Sequence, residues 1–195
     1  MTCTPENTWS DYLFLDTESG GLDPRKHSLL SLGLVVGGPQ GVQHSLEILI
    51  KHDPYVVTEG GMAVNRIDLE KHTALALEPA QALVVLDIFL AQHFPHPCRP
   101  ITLVGHNVNF DRDFLGVFLD SQGRLLEPRF SHRVIDTHSI AAGLRDAGRL
   151  DMPHLGSSAL FERFGIVVPD EKRHTALGDA LATFELYWKL VEHMR

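Results

Sequence analysis

Asp16, Glu18, Asp111, His174 and Asp179 are the residues whose types and spacing suit phosphate chemistry. Asp16 and Glu18 lie in "YLFLDTESGGLDP", where the run Tyr12-Leu13-Phe14-Leu15 reads as a buried strand. Residues two apart on a strand share a face. Two carboxylates on one face repel and are costly to bury unpaired, so something must compensate them. Asp111, in "GHNVNFDRDFL", falls just inside a helix that follows a buried strand. Asp179, in "HTALGDALATFELYWKL", lies off the Leu177/Leu181/Phe184/Trp188 stripe, nearer Thr175, Ala182 and Leu186, at about 100° per residue. Four carboxylates from strand and helix ends can converge in one cleft. Hard oxygen donors of that kind suit Mg²⁺ or Mn²⁺ rather than zinc. Two such ions, roughly 3.5–4 Å apart, grip both the attacking and leaving oxygens in a phosphate displacement. His174 precedes Asp179 by five residues and follows Glu171-Lys172-Arg173. From a loop there it could reach the cleft and take a proton from water near neutral pH.

The elements that must position these residues follow from patterning. Tyr12–Asp16, Ser28–Val36 and Val42–Ile50 read as strands of an antiparallel meander, with a turn at "GGPQG". The stretch "PYVVTEGGMAVNRIDLEKH" reads as a short helix within loops, and Pro79–His93 as a helix opened by proline. "ITLVGHN" reads as a strand, "NFDRDFLGVFLDSQG" as a helix stopped at Gly123, and "RVIDTHSIAAGL" as a strand running into a helix. A short helix over "LGSSALFERFGI", capped at Gly165, precedes a last helix from about Thr175 to His193. Leu177, Leu181, Phe184, Trp188 and Val191 form the expected apolar stripe of that helix. Three strands followed by alternating helices and strands predict an α/β sandwich with a mixed, five-stranded sheet flanked by helices.

At 195 residues the chain suits one domain over 11–195 behind a polar N-terminal tail, residues 1–10. No apolar run is long enough to span a membrane, and "MTCTPENTWSD" lacks a basic-then-apolar signal. The only cysteines, Cys3 and Cys98, argue against a disulfide framework. Together these features predict a cytoplasmic protein. A net charge of −8 argues against a sequence-independent nucleic-acid binder with a basic face. Cations held by clustered acids would neutralise part of that charge.

The three acidic segments resemble the motifs of the DEDDh-type 3′→5′ exonucleases. "LDTESGGLDP" is similar to the first motif, "GHNVNFD" to the second and "HTALGDA" to the third, H-x-A-x-x-D. That family includes the epsilon subunit of DNA polymerase III, ribonuclease T and oligoribonuclease, and the resemblance runs from Asp11 to Val191. It implies a ribonuclease H-like three-layer sandwich. It implies two divalent cations, Mg²⁺ or Mn²⁺, held by Asp16, Glu18, Asp111 and Asp179, with His174 as general base. Asp16 would bridge the ions, Glu18 and Asp179 would complete the first site, and Asp111 would serve the second. Alignment with the second motif selects Asp111 over Asp113. The resemblance further implies substrate contacts at Thr17, Leu22 and Asn65. The implied substrate is the 3′ end of single-stranded DNA or RNA, hydrolysed to nucleoside 5′-monophosphates. The implied partners are a second copy or a polymerase, and no membrane. The chain departs from the family at Ser31, in "LLSLG", where many relatives carry an acid.

Other polar residues have plainer expected roles. His106 and Asn107 end a strand, and Asp136 caps a helix. "HFPHPC" fits no common zinc spacing. Phe184, Tyr187 and Trp188 are core or interface residues rather than a platform for bases. Two alternatives stand beside the exonuclease: a catalytically silent nucleic-acid or polymerase-associated module, and a hydrolase of short dinucleotides. Choice between DNA and RNA rests on 2′-hydroxyl contacts.

Overall fold

The computed structural model describes residues 11–96, 98–169 and 172–195. The expected polar tail, with Cys3, lies outside the described residues. Three strands, β1 (Tyr12–Ser19), β2 (Leu29–Gly38) and β3 (Gly41–Leu49), form the antiparallel meander. Two short helices, α1 (Glu59–Asn65) and α2 (Leu69–Leu75), stand where one was expected. Arg66 takes a left-handed conformation that ends α1, and Asp68 caps α2 through the amides of Glu70 and Lys71. Helix α3 (Pro79–His93) has the expected bounds. Strand β4 (Ile101–Gly105), α4 (Asn109–Ser121), β5 (Phe130–Asp136), α5 (Thr137–Asp146), α6 (Ser157–Arg163) and α7 (Ala176–His193) complete the chain.

The sheet has the order β3-β2-β1-β4-β5, with β4 parallel to both β1 and β5. Alternation along the strands supplies both faces. Leu13 and Leu15 of β1 join the cluster built by α3 and α4, which includes Leu86, Phe89, Phe114 and Phe118. Phe14 faces the other way, onto Phe184 and Tyr187 of α7. Its ring meets those two edge-on at 4.8 and 5.5 Å. Phe184 and Tyr187 of α7 are therefore packed core, and Trp188 is half-buried beside them.

Two expectations are corrected. Strand β1 continues beyond Asp16 to Ser19, so both acids lie inside it. The apolar stripe predicted for α7 is not its most buried surface. Leu177, Leu181, Trp188 and Val191 are half-buried at the edge of the sheet contact, whereas Ala176, Ala180, Phe184, Tyr187, Ala182, Leu186 and Leu190 are buried. The reason is that α7 is covered on two sides. One side packs on the sheet, and the other, through Ala182, Leu186 and Leu190, packs against α5 and α6. A single-stripe reading assumes one solvent face and passes over small residues such as Ala180 and Ala182.

Candidate active site

Strand alternation decides how the acids meet. Asp16 and Glu18 share the face of β1 that carries Phe14 and meets α7, and Asp179 stands in the first turn of α7. Ligand oxygens of Asp16, Glu18 and Asp179 all lie within 4.8 Å of one another. Thr17, between the two strand acids, points to the α4 face. There its buried hydroxyl donates to Asp111 Oδ1 at 2.8 Å. Asp111 thus adjoins the three-acid cluster through Thr17 rather than joining its tightest contact.

The approach of α7 to the sheet depends on two glycines. A Cβ on Gly33 of β2 would lie 2.1 Å from the Ala176 carbonyl oxygen, so only glycine admits the start of the helix. A Cβ on Gly178 would lie 1.9 Å from Lys172 O and would expel the loop that carries His174. Thr175 caps α7 by accepting from the Gly178 amide at 3.1 Å. His174 takes a left-handed backbone conformation, φ 62°. It lies against Asp179, which it affects through its charge and a backbone N–H donor.

Burial and mutual repulsion govern the electrostatics. Burial raises Asp16 far above the usual carboxylate range, reinforced by the charges of Asp111, Asp179 and Glu18. Glu18 is pushed up to about 8, first by burial and then by Asp179, Asp111 and Glu47. Burial lifts Asp111 to about 7 against the hydrogen bond from Thr17. Asp179 is raised by burial, opposed by the ion pair from Arg173. Several buried acids that disfavour each other's ionisation, all offering oxygen, fit a divalent cation. Among the described residues, Asp16, Glu18 and Asp179 are the only His, Cys or acidic group so arranged.

The remaining candidates lie outside the acidic cluster. Leu22 is 85% exposed, on the loop that leaves β1. That loop is tied down by Thr58 N–H to Gly20 O at 2.6 Å and Ser19 Oγ to Gly21 O at 2.8 Å. Asn65 is buried, and its amide is engaged at both ends. It donates to Ser19 O at 3.0 Å and accepts from Ile67 N at 3.1 Å. Asp136 caps α5, accepting from His138 N and Ser139 N, and also accepts from Asn107 N at 2.7 Å. His106 contacts Thr137 Oγ1 at 3.0 Å, and burial pushes it down to about 4.

Two participants escaped the sequence reading. Arg173 pairs with Asp179, and the adjacent motif histidine was the available signal. Glu47 of β3 adds charge beside Glu18 and accepts from Leu177 N at 3.3 Å. It lies 130 residues from Leu177 in the chain, and local pattern carries no trace of that contact. Ser31 is buried and pairs with Glu18 in the β1–β2 register.

No family model matches the chain. A "DNA polymerase III subunit epsilon-like protein" of Rhodobacter capsulatus is 36% identical over 96 residues, 48% of this chain but only 12% of that protein. The DNA polymerase III subunit epsilon of Treponema pallidum is 27% identical over 91% of this chain and 75% of its own length. The oligoribonuclease of Bordetella pertussis is 28% identical over 93% of this chain and 94% of its own. Among solved structures, the zinc-bound E. coli exonuclease I in complex with single-stranded DNA superposes with a TM-score of 0.78. It is 17% identical over 94% of this chain, which spans 40% of that one. The nuclease domain of 3′hExo, a DEDDh family member bound to rAMP, gives a TM-score of 0.75 at 11% identity, covering 96% of this chain and 94% of its own. These likenesses give the fold as that of ribonuclease H-like exonucleases. Sequence similarity along nine-tenths of its length relates the chain to proteins named DNA polymerase III subunit epsilon and oligoribonuclease.

Proposed function

We propose that residues 11–195 act as a single-domain, metal-dependent 3′→5′ exonuclease that releases nucleoside 5′-monophosphates from single-stranded DNA or RNA. The observation that carries this reading is the convergence of Asp16, Glu18 and Asp179 within 4.8 Å, beside His174. Asp16, Glu18 and Asp179 would hold one divalent cation, Mg²⁺ or Mn²⁺, and Asp111, steadied by Thr17, would hold a second with Asp16. Bound cations supply charge stabilisation at the attacking and leaving oxygens. His174 accepts the proton of the attacking water at its imidazole. Leu22, held out into solvent, packs on the terminal nucleotide, and Thr17 contributes its backbone. Asn65 shapes the same end by bracing Ser19. Two cysteines in the whole sequence suit a reducing, cytoplasmic setting. Among the described residues no helix is long and apolar enough to cross a membrane. A polymerase is the partner that the name of the epsilon relative suggests, with a second copy of the chain as the alternative.

The similarity to an oligoribonuclease over 94% of its length, with a net charge of −8, favours short substrates as a second reading. One experiment addresses both. 5′-labelled DNA and RNA, from dinucleotides to long oligomers, are offered with Mg²⁺, Mn²⁺ or EDTA. A metal-dependent ladder shrinking from the 3′ end, abolished in a folded Asp16→Ala protein, is expected. Hydrolysis confined to dinucleotides selects the second reading, and full activity of Asp16→Ala rejects the assignment.

A further inference from the structure

The guanidinium of Arg173 is held on three sides. It makes an ion pair with Asp179 Oδ1, donates to Ser158 Oγ at 2.6 Å and lies 5.1 Å above the Phe161 ring centre. Its backbone is fixed as well, because the amides of Lys172 and Arg173 both reach Pro169 O, at 2.8 and 2.9 Å. The paired side chains are only 19% and 16% exposed, so solvent screens them less than a surface pair. Arg173 also opposes the effect of burial on Asp16, Glu18 and Asp179 alike. Any cation shared by those three acids meets this guanidinium twice. It competes for the Asp179 carboxylate and it presents a like charge.

Resting on the reading of this cluster as a metal centre, we propose that Arg173 is a positioning residue that sets the cation affinity of the site. It orients Asp179 and competes with the cation for that carboxylate. Ser158 and Phe161 form the berth that keeps the guanidinium in place once Asp179 is taken. Removing Arg173 has two opposed effects. Loss of the competing charge tightens cation binding, and loss of its hold on Asp179 loosens it. The first wins because Asp179 keeps its place in the first turn of α7 and its contact with the His174 backbone.

The test is a calorimetric Mn²⁺ titration at one fixed pH, without substrate, on wild type, Arg173→Gln, Ser158→Ala and Asp179→Asn. Arg173→Gln is expected to bind Mn²⁺ about tenfold tighter. Ser158→Ala, at an exposed position, is expected to bind about twofold tighter by loosening one anchor of the guanidinium. Unchanged or weaker binding in Arg173→Gln overturns the proposal. Should that variant fail to fold, Ser158→Ala decides on the same terms. If wild type itself takes up no Mn²⁺, or Asp179→Asn binds like wild type, the metal-centre reading fails and the proposal falls with it.

Discussion

Asp16, Glu18, Asp111 and Asp179 are each raised by burial, so the folded chain holds protons that the unfolded chain releases. In EDTA, stability must therefore fall as pH rises from the ordinary carboxylate range through about 7 for Asp111 and about 8 for Glu18. A cation held by these acids would offset that loss and displace the same protons. Thermal melts with Mg²⁺ and with EDTA, from about pH 5 to about pH 9, should show a stabilisation by Mg²⁺ that grows with pH. A gain independent of pH would contradict the arrangement. His174 belongs to a different step. His174→Ala should lower kcat by about 10²–10⁴-fold and remove the limb of the pH–rate profile that a base produces. An unaltered profile would dismiss it as the base.

The strands and helices place these side chains by simple means that the sequence carries unevenly. Alternation in β1 was legible, and with it the shared face of Asp16 and Glu18. Helix starts at Pro79, Asp136 and Thr175 were also legible, because caps and proline are local signals. What was not legible depends on long-range packing. The second buried side of α7, the tie from Thr17 to Asp111 and the approach of Glu47 to Glu18 join segments far apart in the chain. Gly33 shows how tightly the elements are fitted. Its hydrogen leaves room for the Ala176 carbonyl, and any larger group forces α7 away from β2. Gly33→Ala should cost about 1–3 kcal/mol by overpacking, and it should lower activity further by moving Asp179. Denaturant melts and turnover measured on the same preparation check this. A stable, fully active variant would show that α7 can shift without consequence.

Over the whole chain, three layers bring a strand, two helix starts and one loop to the same end of the sheet. The acids of the cluster are spread from Asp16 to Asp179, and the fold unites them. With a net charge of −8, substrate attraction under the proposed function would fall to the site and the cations it would hold rather than to a broad basic surface. On the proposed reading, activity should depend strongly on the divalent ion and favour short or free ends. The central claim is release of single nucleotides from a 3′ end, and an oligonucleotide labelled in its last internucleotide phosphate tests it most directly. With Mg²⁺, the first labelled product should be the terminal nucleoside 5′-monophosphate, formed from the earliest time point and absent in EDTA. Label appearing first in internal fragments, or as a nucleoside 3′-phosphate, would contradict the account.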